Sequence, residues 1–140
     1  AAGVSAATPS PEGLWWAEGG AAKVRLERCG ASLCGRVVWL RSPFDEHGCL
    51  LRDRYNADPE LRHRDVIGLE IVSNLVAADP RRTQWRGGTI YDPTSGRTYD
   101  CELRVRDDDR LDIRGYFGLR LIGRTVTWTR VGSEERLCRE

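Results

Sequence analysis

The feature that most constrains this chain is an alternation of apolar and polar residues, which recurs in short runs between residues 13 and 131. In the run 22–28 (AKVRLER), the two large apolar residues share one face and the charged residues share the other. A period of two places successive side chains on opposite faces of a β-strand. Turn signals such as Gly19–Gly20 separate the runs. The pattern therefore predicts many short strands and no long helix.

Eight such runs follow one another, mostly across short turns. A series of antiparallel strands either leaves two exposed edges or closes on itself, and closure removes the edges. We therefore predict an all-β fold, an eight-stranded antiparallel up-and-down barrel, as a single domain over residues 13–140. The predicted strands are 13–18, 22–28, 35–41, 66–72, 83–91, 97–105, 111–117 and 124–131.

The longest irregular stretch covers residues 42–65 and is rich in polar residues. Asn56 or Asp58 can cap a short helical turn in which Pro59 takes the first position. Loops of this length serve as lids, binding loops or plain connections. We expect one long loop with a single helical turn on an otherwise all-β molecule.

The first twelve residues have a different composition from the rest of the chain. Residues 1–12 are small, rich in proline, serine and threonine, and nearly uncharged. A mature N-terminus that follows a small-residue cleavage site has this composition. We expect residues 1–12 to be disordered and the protein to be periplasmic or secreted.

Two cysteines, Cys29 and Cys34, flank a predicted hairpin loop in the segment CGASLC. A zinc site usually takes four ligands from two close pairs, and the chain has no second short-spaced pair. A thioredoxin-like redox site has two residues between its cysteines and a helix that carries them, and neither condition is met here. The favoured interpretation is a structural disulfide, which implies an oxidising compartment.

Three further cysteines remain, of which Cys101 faces the predicted core by strand alternation. A bridge between Cys49 and Cys138 would pin the C-terminal tail to the long loop. A bridge between Cys49 and Cys101 is the competing arrangement. In either case one cysteine is left over in a monomer.

Several classes of function find no support in the sequence. The net charge is only +1, and the arginines, which make up every basic residue except Lys23, are scattered among acids. We therefore expect no nucleic-acid partner. No run reaches the roughly 18–20 apolar residues of a membrane span. His47 and His63 lie in the irregular loop without a serine or cysteine nucleophile in an elbow-like context. We expect a protein that is not an enzyme and that needs no metal or cofactor.

The aromatic residues on the predicted strands suggest a ligand site. If they point inward, they either fill the barrel or line an apolar cavity with a few polar groups. An arginine that points inward would favour an anionic ligand or an acidic partner. The candidate ligand-binding residues are Trp39, Tyr91, Tyr99, Tyr116 and Arg124.

Six segments, in order along the chain, resemble a bacterial family known as domain-of-unknown-function family 2147, whose members are mostly exported proteins. The segments are GLWW, CGASLCGRVVWL, NADPELRHR, GLEIVSN, GGTIYDPTSGRTYDCEL and LDIRGYFGLRLIGRTVTWTR, and they span Gly13 to Arg130. The family resembles lipocalin-type barrels, so the resemblance implies the same fold. The chain departs from the family pattern in the long loop, where it reads YNADPE and HRDV.

The lipocalin resemblance also implies how the barrel closes at its floor. Lipocalin-like proteins carry Gly-X-Trp on the first strand and an arginine on the last. The arginine packs across the tryptophan and donates to main-chain carbonyls. Gly13, Trp15 and Arg130 occupy the corresponding places.

Two hypotheses of function follow. The first is a carrier that binds a small apolar or amphipathic molecule in the barrel mouth, under the 42–65 loop. It requires space inside the barrel. The second is a non-catalytic envelope or protein-interaction module with a filled core, which requires an exposed apolar patch instead.

Overall fold

The computed structural model describes residues 9–117 and 123–132 and shows a closed barrel of eight antiparallel strands in chain order. Each strand pairs with the next, and the first pairs with the last, with Trp15 opposite Arg130. The predicted eight-stranded up-and-down barrel is therefore confirmed. The strands are β1 (Gly13–Trp16), β2 (Ala22–Cys29), β3 (Ser32–Leu40), β4 (Glu70–Ala77), β5 (Gln84–Asp92), β6 (Arg97–Val105), β7 (Arg110–Tyr116) and β8 (Gly123–Arg130).

Two short 3-10 helices lie between strands, at Glu18–Gly20 and at Pro59–Leu61. Asp58 caps the second one, because its carboxylate accepts a hydrogen bond from the backbone N–H of Glu60 at 3.0 Å. The predicted helical turn in the long loop is therefore confirmed. Over the two described ranges, no helix is long and apolar enough to cross a bilayer.

Strand alternation builds a core from the inward-facing residues of all eight strands. Three tryptophans are its largest members, and each is at most 3% exposed. Aliphatic side chains and one cysteine fill the space between them. The most deeply buried members of the core are Trp15, Val24, Leu26, Leu33, Val72, Leu75, Trp85, Cys101, Leu103, Leu111, Ile113 and Trp128.

The fourth strand begins later than the sequence pattern indicates. The prediction of a strand at 66–72 is wrong in its limits, because β4 starts at Glu70 and continues to Ala77. Gly68 has a φ of +98°, which an extended strand does not allow. Residues 66–69 therefore belong to the long connection, where the backbone N–H of Val66 donates to the carbonyl of Leu51.

The antiparallel order places the connections at two ends of the barrel. The β1–β2, β3–β4 and β5–β6 connections lie at one end, here called the mouth. The β2–β3, β4–β5 and β6–β7 connections lie at the other end, here called the base. The long loop therefore belongs to the mouth.

The base is closed by a cluster around the first tryptophan. The guanidinium of Arg130 lies 4.2 Å from the centroid of the Trp15 ring and donates to the carbonyls of Ser10 and Glu12, each at 2.9 Å. Trp15 itself donates through Nε1 to the carbonyl of Pro11 at 2.8 Å. Gly13 has a φ of +130°, and a side chain there would collide with the Arg130 guanidinium. Residues 10–12 are thus tied to the barrel, whereas residues 1–8 lie outside the described part.

Candidate functional site

Above the sealed core, four inward-facing residues near the mouth are only partly buried. These residues, here called the cup, are Ile90, Tyr99, Gly115 and Val126. Strand pairing places them on the inner face, since Ile90 lies opposite Tyr99 and Val126 lies opposite the buried Ile113. Ile90 and Val126 pack directly on the core. The cup is therefore the partly exposed end of the barrel interior, directly above the core.

Gly115 leaves the centre of the cup without a side chain. A Cβ atom at this position would lie 3.6 Å from Cγ2 of Ile90 and 3.6 Å from Cβ of Tyr99, which is ordinary contact distance. The backbone of Gly115 is in a conformation open to any residue, because its φ is not positive. The glycine therefore leaves space in the cup and is not required by the local backbone.

The rim of the cup combines an aromatic pair with an arginine. The rings of Tyr99 and Phe117 meet edge to face with their centroids 5.2 Å apart, and Phe117 is 62% exposed. Arg124 lies opposite Gly115 on β8, so its Cα belongs to the inner face of the barrel at the mouth. Arg114 is on the outer face, where its guanidinium donates to the Thr125 hydroxyl at 2.9 Å.

Three of the five aromatic and basic candidates lie outside the barrel. Trp39 pairs with Lys23 across a β-bulge, which turns Trp39 outward. Tyr91 follows the inward-facing Ile90 and therefore points outward, and Tyr116 likewise follows the inward-facing Gly115. The condition that the side chain points inward is therefore met by Tyr99 and by the backbone position of Arg124, and not by these three residues. As ligand-binding residues, all five stay predictions.

Trp39 belongs instead to an aromatic sandwich on the outer wall. Its ring meets that of Trp16 edge to face at 5.6 Å, and the Lys23 ammonium lies 4.8 Å from the Trp16 ring and 5.0 Å from the Trp39 ring. Lys23 is only 4% exposed. Cation–π attraction is strongest when the cation is shielded from water, so the sandwich supports the wall where β1, β2 and β3 pair.

Tyr91 holds the long loop to the barrel through a buried carboxylate. Asp53 in the loop is fully buried and accepts hydrogen bonds from Tyr91 Oη at 2.5 Å, Asn56 Nδ2 at 2.9 Å and Arg64 Nε at 3.0 Å. Burial, together with the Asp53 carboxylate, raises the pKa of Tyr91 to about 12. The phenol therefore stays protonated and remains a donor at neutral pH.

A second close contact secures the same loop. Gly96, in the turn between β5 and β6, has a φ of +76° and lies so near the carbonyl of Tyr55 that no side chain fits there. Within the loop, Arg62 Nε donates to the carbonyl of Asn56 at 2.7 Å. These contacts hold the loop in place beside the mouth. It is here called the anchored loop (residues 42–65).

The structure bonds Cys29 to Cys34 across the β2–β3 hairpin. A disulfide that closes a loop of this size stabilises the fold by about 2 kcal/mol on the chain-entropy estimate. Glu70 lies close enough to complete a three-ligand group with the two sulfurs, within 4.8 Å of one another. Both sulfurs are committed to the disulfide, so in this state the group holds no metal.

Among the described residues, Cys49 is exposed in the anchored loop and Cys101 is buried in the core, and neither is bonded to another described cysteine. The alternative Cys49–Cys101 bridge is therefore absent. Cys138 lies outside the described residues, and the Cys49–Cys138 bridge stays a prediction.

We expect the thiols of Cys49 and Cys101 to react very differently. Burial raises the pKa of the Cys101 thiol to about 12, and the side chain has no exposed surface. An aromatic disulfide reagent at neutral pH should therefore modify Cys49 in the folded protein and Cys101 only after unfolding. In a timed thiol assay on a Cys138→Ser background, in which Cys49 has no cysteine of the tail to pair with, Cys49→Ser should remove one rapidly reacting group and Cys101→Ser should leave the rapid phase unchanged. If Cys101→Ser removed one rapidly reacting group, the buried placement of Cys101 would be wrong.

A family model described as "Uncharacterized protein conserved in bacteria (DUF2147)" matches residues 13–130 of this chain. The chain belongs to this family. Among solved structures, this DUF2147 chain is similar to HP1028 from Helicobacter pylori, a protein described as belonging to the lipocalin family. The TM-score is 0.81 at 20% sequence identity, over 94% of this chain and 89% of that one. At this identity the likeness shows the fold alone. A search of curated protein sequences finds no match to the DUF2147 chain.

Two features of the mouth have little signal in the sequence. Asp53 is one of several acids in a polar loop, and its partner Tyr91 is 38 residues away along the chain. Gly115 follows the alternation of β7, and strand glycines often mark a site of close approach. A glycine within a strand is therefore the one sequence signal for the open centre of the cup.

Proposed function

We propose that this protein binds a small apolar or amphipathic molecule in the cup at the barrel mouth. The observation that carries the proposal is the change in exposure along the barrel axis. The core residues in the middle of the barrel are sealed, whereas the cup residues at the mouth keep part of their surface open to solvent. Small-molecule sites in barrels of this size are found at such mouths.

The chemistry of the cup supports an apolar or amphipathic ligand. Ile90, Val126 and the Tyr99 ring offer apolar walls, and the Tyr99 hydroxyl adds a polar group at the rim. The anchored loop limits the approach from one side. Since the core below is filled, the ligand enters only the upper part of the barrel.

The cellular compartment is part of the same proposal. Disulfides persist in oxidising compartments and are rare in the bacterial cytoplasm. The Cys29–Cys34 bond therefore supports an exported protein, in the periplasm or outside the cell.

Filling the cup tests the proposal. Gly115→Leu adds an isobutyl group at a position where Cβ fits without collision, so the side chain should occupy the cup and leave the barrel folded. We expect the unmodified protein to bind the amphipathic probe 1-anilinonaphthalene-8-sulfonate saturably at one site. We expect Gly115→Leu to weaken that binding at least about tenfold, the loss expected when a ligand's apolar contacts are blocked. Probe fluorescence under titration gives both constants.

The matched control places a similar side chain outside the barrel. Thr98→Leu adds an apolar group at an exposed position on the outer face of β6, next to the strand that carries Gly115. The control should bind the probe as the unmodified protein does. If the two variants bind equally, or if the unmodified protein shows no saturable site, the cup is not a binding site.

The second candidate function is a protein-interaction module, and an apolar patch near the anchored loop favours it. Phe44, Leu50 and Ile67 are 58%, 44% and 39% exposed, and Leu50 and Ile67 line a recess of about 140 Å³. Exposed apolar patches often mark protein contacts. Absence of probe binding, together with capture of a partner that Phe44→Ser abolishes, would favour this function over the carrier.

A further inference from the structure

A second cavity lies at the base, at the opposite end of the barrel from the cup. It has a volume of about 200 Å³, and three arginines line it, together with Trp85. Arg28 comes from the end of β2, and Arg81 and Arg82 come from the connection between β4 and β5. Two separate elements therefore bring three guanidinium groups to one recess.

Within residues 9–117 and 123–132, the three guanidinium groups have no acidic partner, and none of their side chains forms an ion pair or a hydrogen bond. Among the described residues that line the cavity, Glu12 is the one acidic residue, and it makes no ion pair with them. Other arginines of this chain do pair with acids, as Arg110 does with Asp107 at 2.8 Å. The base cavity thus carries an excess of positive charge.

The backbone that carries two of these arginines is held in place. The Asp79 carboxylate accepts hydrogen bonds from the backbone N–H groups of Thr83 and Gln84, each at 2.8 Å, and from the Thr83 hydroxyl at 2.7 Å. These bonds lower the pKa of Asp79, so the carboxylate stays ionised. Arg82 has a φ of +58°, which is uncommon for a residue other than glycine. Trp85 Nε1 fixes the Arg82 carbonyl with a hydrogen bond of 3.0 Å.

The third arginine is placed by an aromatic contact. The Arg28 guanidinium lies 5.9 Å from the centroid of the Trp85 ring, and Trp85 is almost completely buried. A ring so fixed gives the flexible arginine side chain a preferred position. Contacts within the chain therefore fix the backbone at Arg82 and the position of the Arg28 guanidinium in the ligand-free protein.

We propose that the base cavity binds an oxyanion of the phosphate class. Arginine presents paired N–H donors whose geometry matches phosphate oxygens, and several arginines around one recess can share the charge of the anion. The volume exceeds that of a bare phosphate, so an organic group such as an ester or a lipid headgroup fits beside it. This site is independent of the cup, because it lies at the other end of the filled core.

Titration with inorganic phosphate tests the proposal. We expect ¹⁵N-labelled protein to show saturable shifts of the Trp85 indole N–H signal, assigned with a Trp85→Phe variant. The triple variant Arg28→Gln, Arg81→Gln and Arg82→Gln should weaken phosphate binding at least about tenfold, since it removes three charge-assisted donors. All three side chains are exposed, so the variant should fold. If the triple variant does not fold, the single variant Arg81→Gln takes its place, and we expect it to lose less phosphate affinity.

The matched control removes the same charge elsewhere. The triple variant Arg25→Gln, Arg41→Gln and Arg97→Gln takes three exposed arginines from the barrel wall and the mouth, away from the base cavity. It should change phosphate affinity only by the small amount that net charge alone contributes. If both triple variants weaken binding equally, the base cavity is not a site and the proposal fails.

A vesicle assay distinguishes a phosphate in a lipid headgroup from a free phosphate compound as the ligand. Sedimentation with phosphatidylglycerol vesicles, compared with phosphatidylcholine vesicles, detects recognition of an anionic lipid headgroup. Binding to phosphatidylglycerol that the Arg28, Arg81 and Arg82 triple variant loses would support a headgroup ligand, and phosphate binding alone would support a free phosphate compound. No saturable binding in either assay would overturn the proposal.

Discussion

Replacing Trp15 with alanine is expected to lower the free energy of unfolding by about 3–5 kcal/mol, the range for removal of a large buried aromatic side chain. Trp15 has no exposed surface, donates to the Pro11 carbonyl and carries the Arg130 guanidinium on its ring. The variant therefore loses core packing and the closure of the base together. Urea unfolding, followed by far-ultraviolet circular dichroism, gives the difference. Since domains of this kind have a total stability of about 5–15 kcal/mol, the variant should be close to unfolding at 37 °C.

A tryptophan on the outer wall is the control for this experiment. Trp39→Ala removes the same side chain from a partly exposed position in the Lys23 sandwich. The fall in the free energy of unfolding should be less than half that of Trp15→Ala, because the Trp39 side chain buries less apolar surface in the folded protein. Equal costs for the two variants would mean that Trp15 is not the residue that seals the base.

Replacing Asp53 with alanine is expected to release the anchored loop. The change leaves the Tyr91 hydroxyl, the Asn56 amide and the Arg64 guanidinium without their shared acceptor. Each buried donor left unpaired, such as the Asn56 amide, costs about 1–3 kcal/mol, whereas Arg64, whose side chain is 42% exposed, can turn to water. Hydrogen exchange should therefore become about a hundredfold faster or more at the backbone amides of the loop. Amides in β6 and β7 should keep their protection.

Asp65 provides the comparison within the same loop. It is exposed, and it pairs with Arg52 at a distance of 3.7 Å. An exposed pair of this kind contributes about 0–1 kcal/mol, so Asp65→Ala should leave exchange in the loop almost unchanged. If Asp53→Ala and Asp65→Ala had the same effect, the buried carboxylate would not be what holds the loop.

The barrel was predictable because its signal is local. Alternation within the run 22–28 is enough to assign β2, and the order of eight such runs leaves few other ways to bury their apolar faces. The limits of β4 were not predictable in the same way. VIGLEIV reads as one apolar run, and the positive φ of Gly68, which breaks it, is imposed by contacts with β3 and the long loop.

The candidate site was predicted only in part, for a related reason. The alternation of β6 and β8 puts Tyr99 and Arg124 on the inner faces of their strands. The outward orientation of Trp39 follows from a β-bulge near Lys23, and a bulge shifts the alternation by one residue without a clear mark in the sequence. The contact between Asp53 and Tyr91 joins a loop to a distant strand, and a single sequence carries no signal for such a pair.

The sandwich around Lys23 gives the protein an intrinsic reporter of motion. Lys23 is the only lysine in the chain, so its ε-amine is the only side-chain amine available to acylating reagents. Trp16 and Trp39 enclose that amine on the outer wall, so acylation requires that the rings move away from it. The rate of its labelling therefore measures how often this sandwich opens.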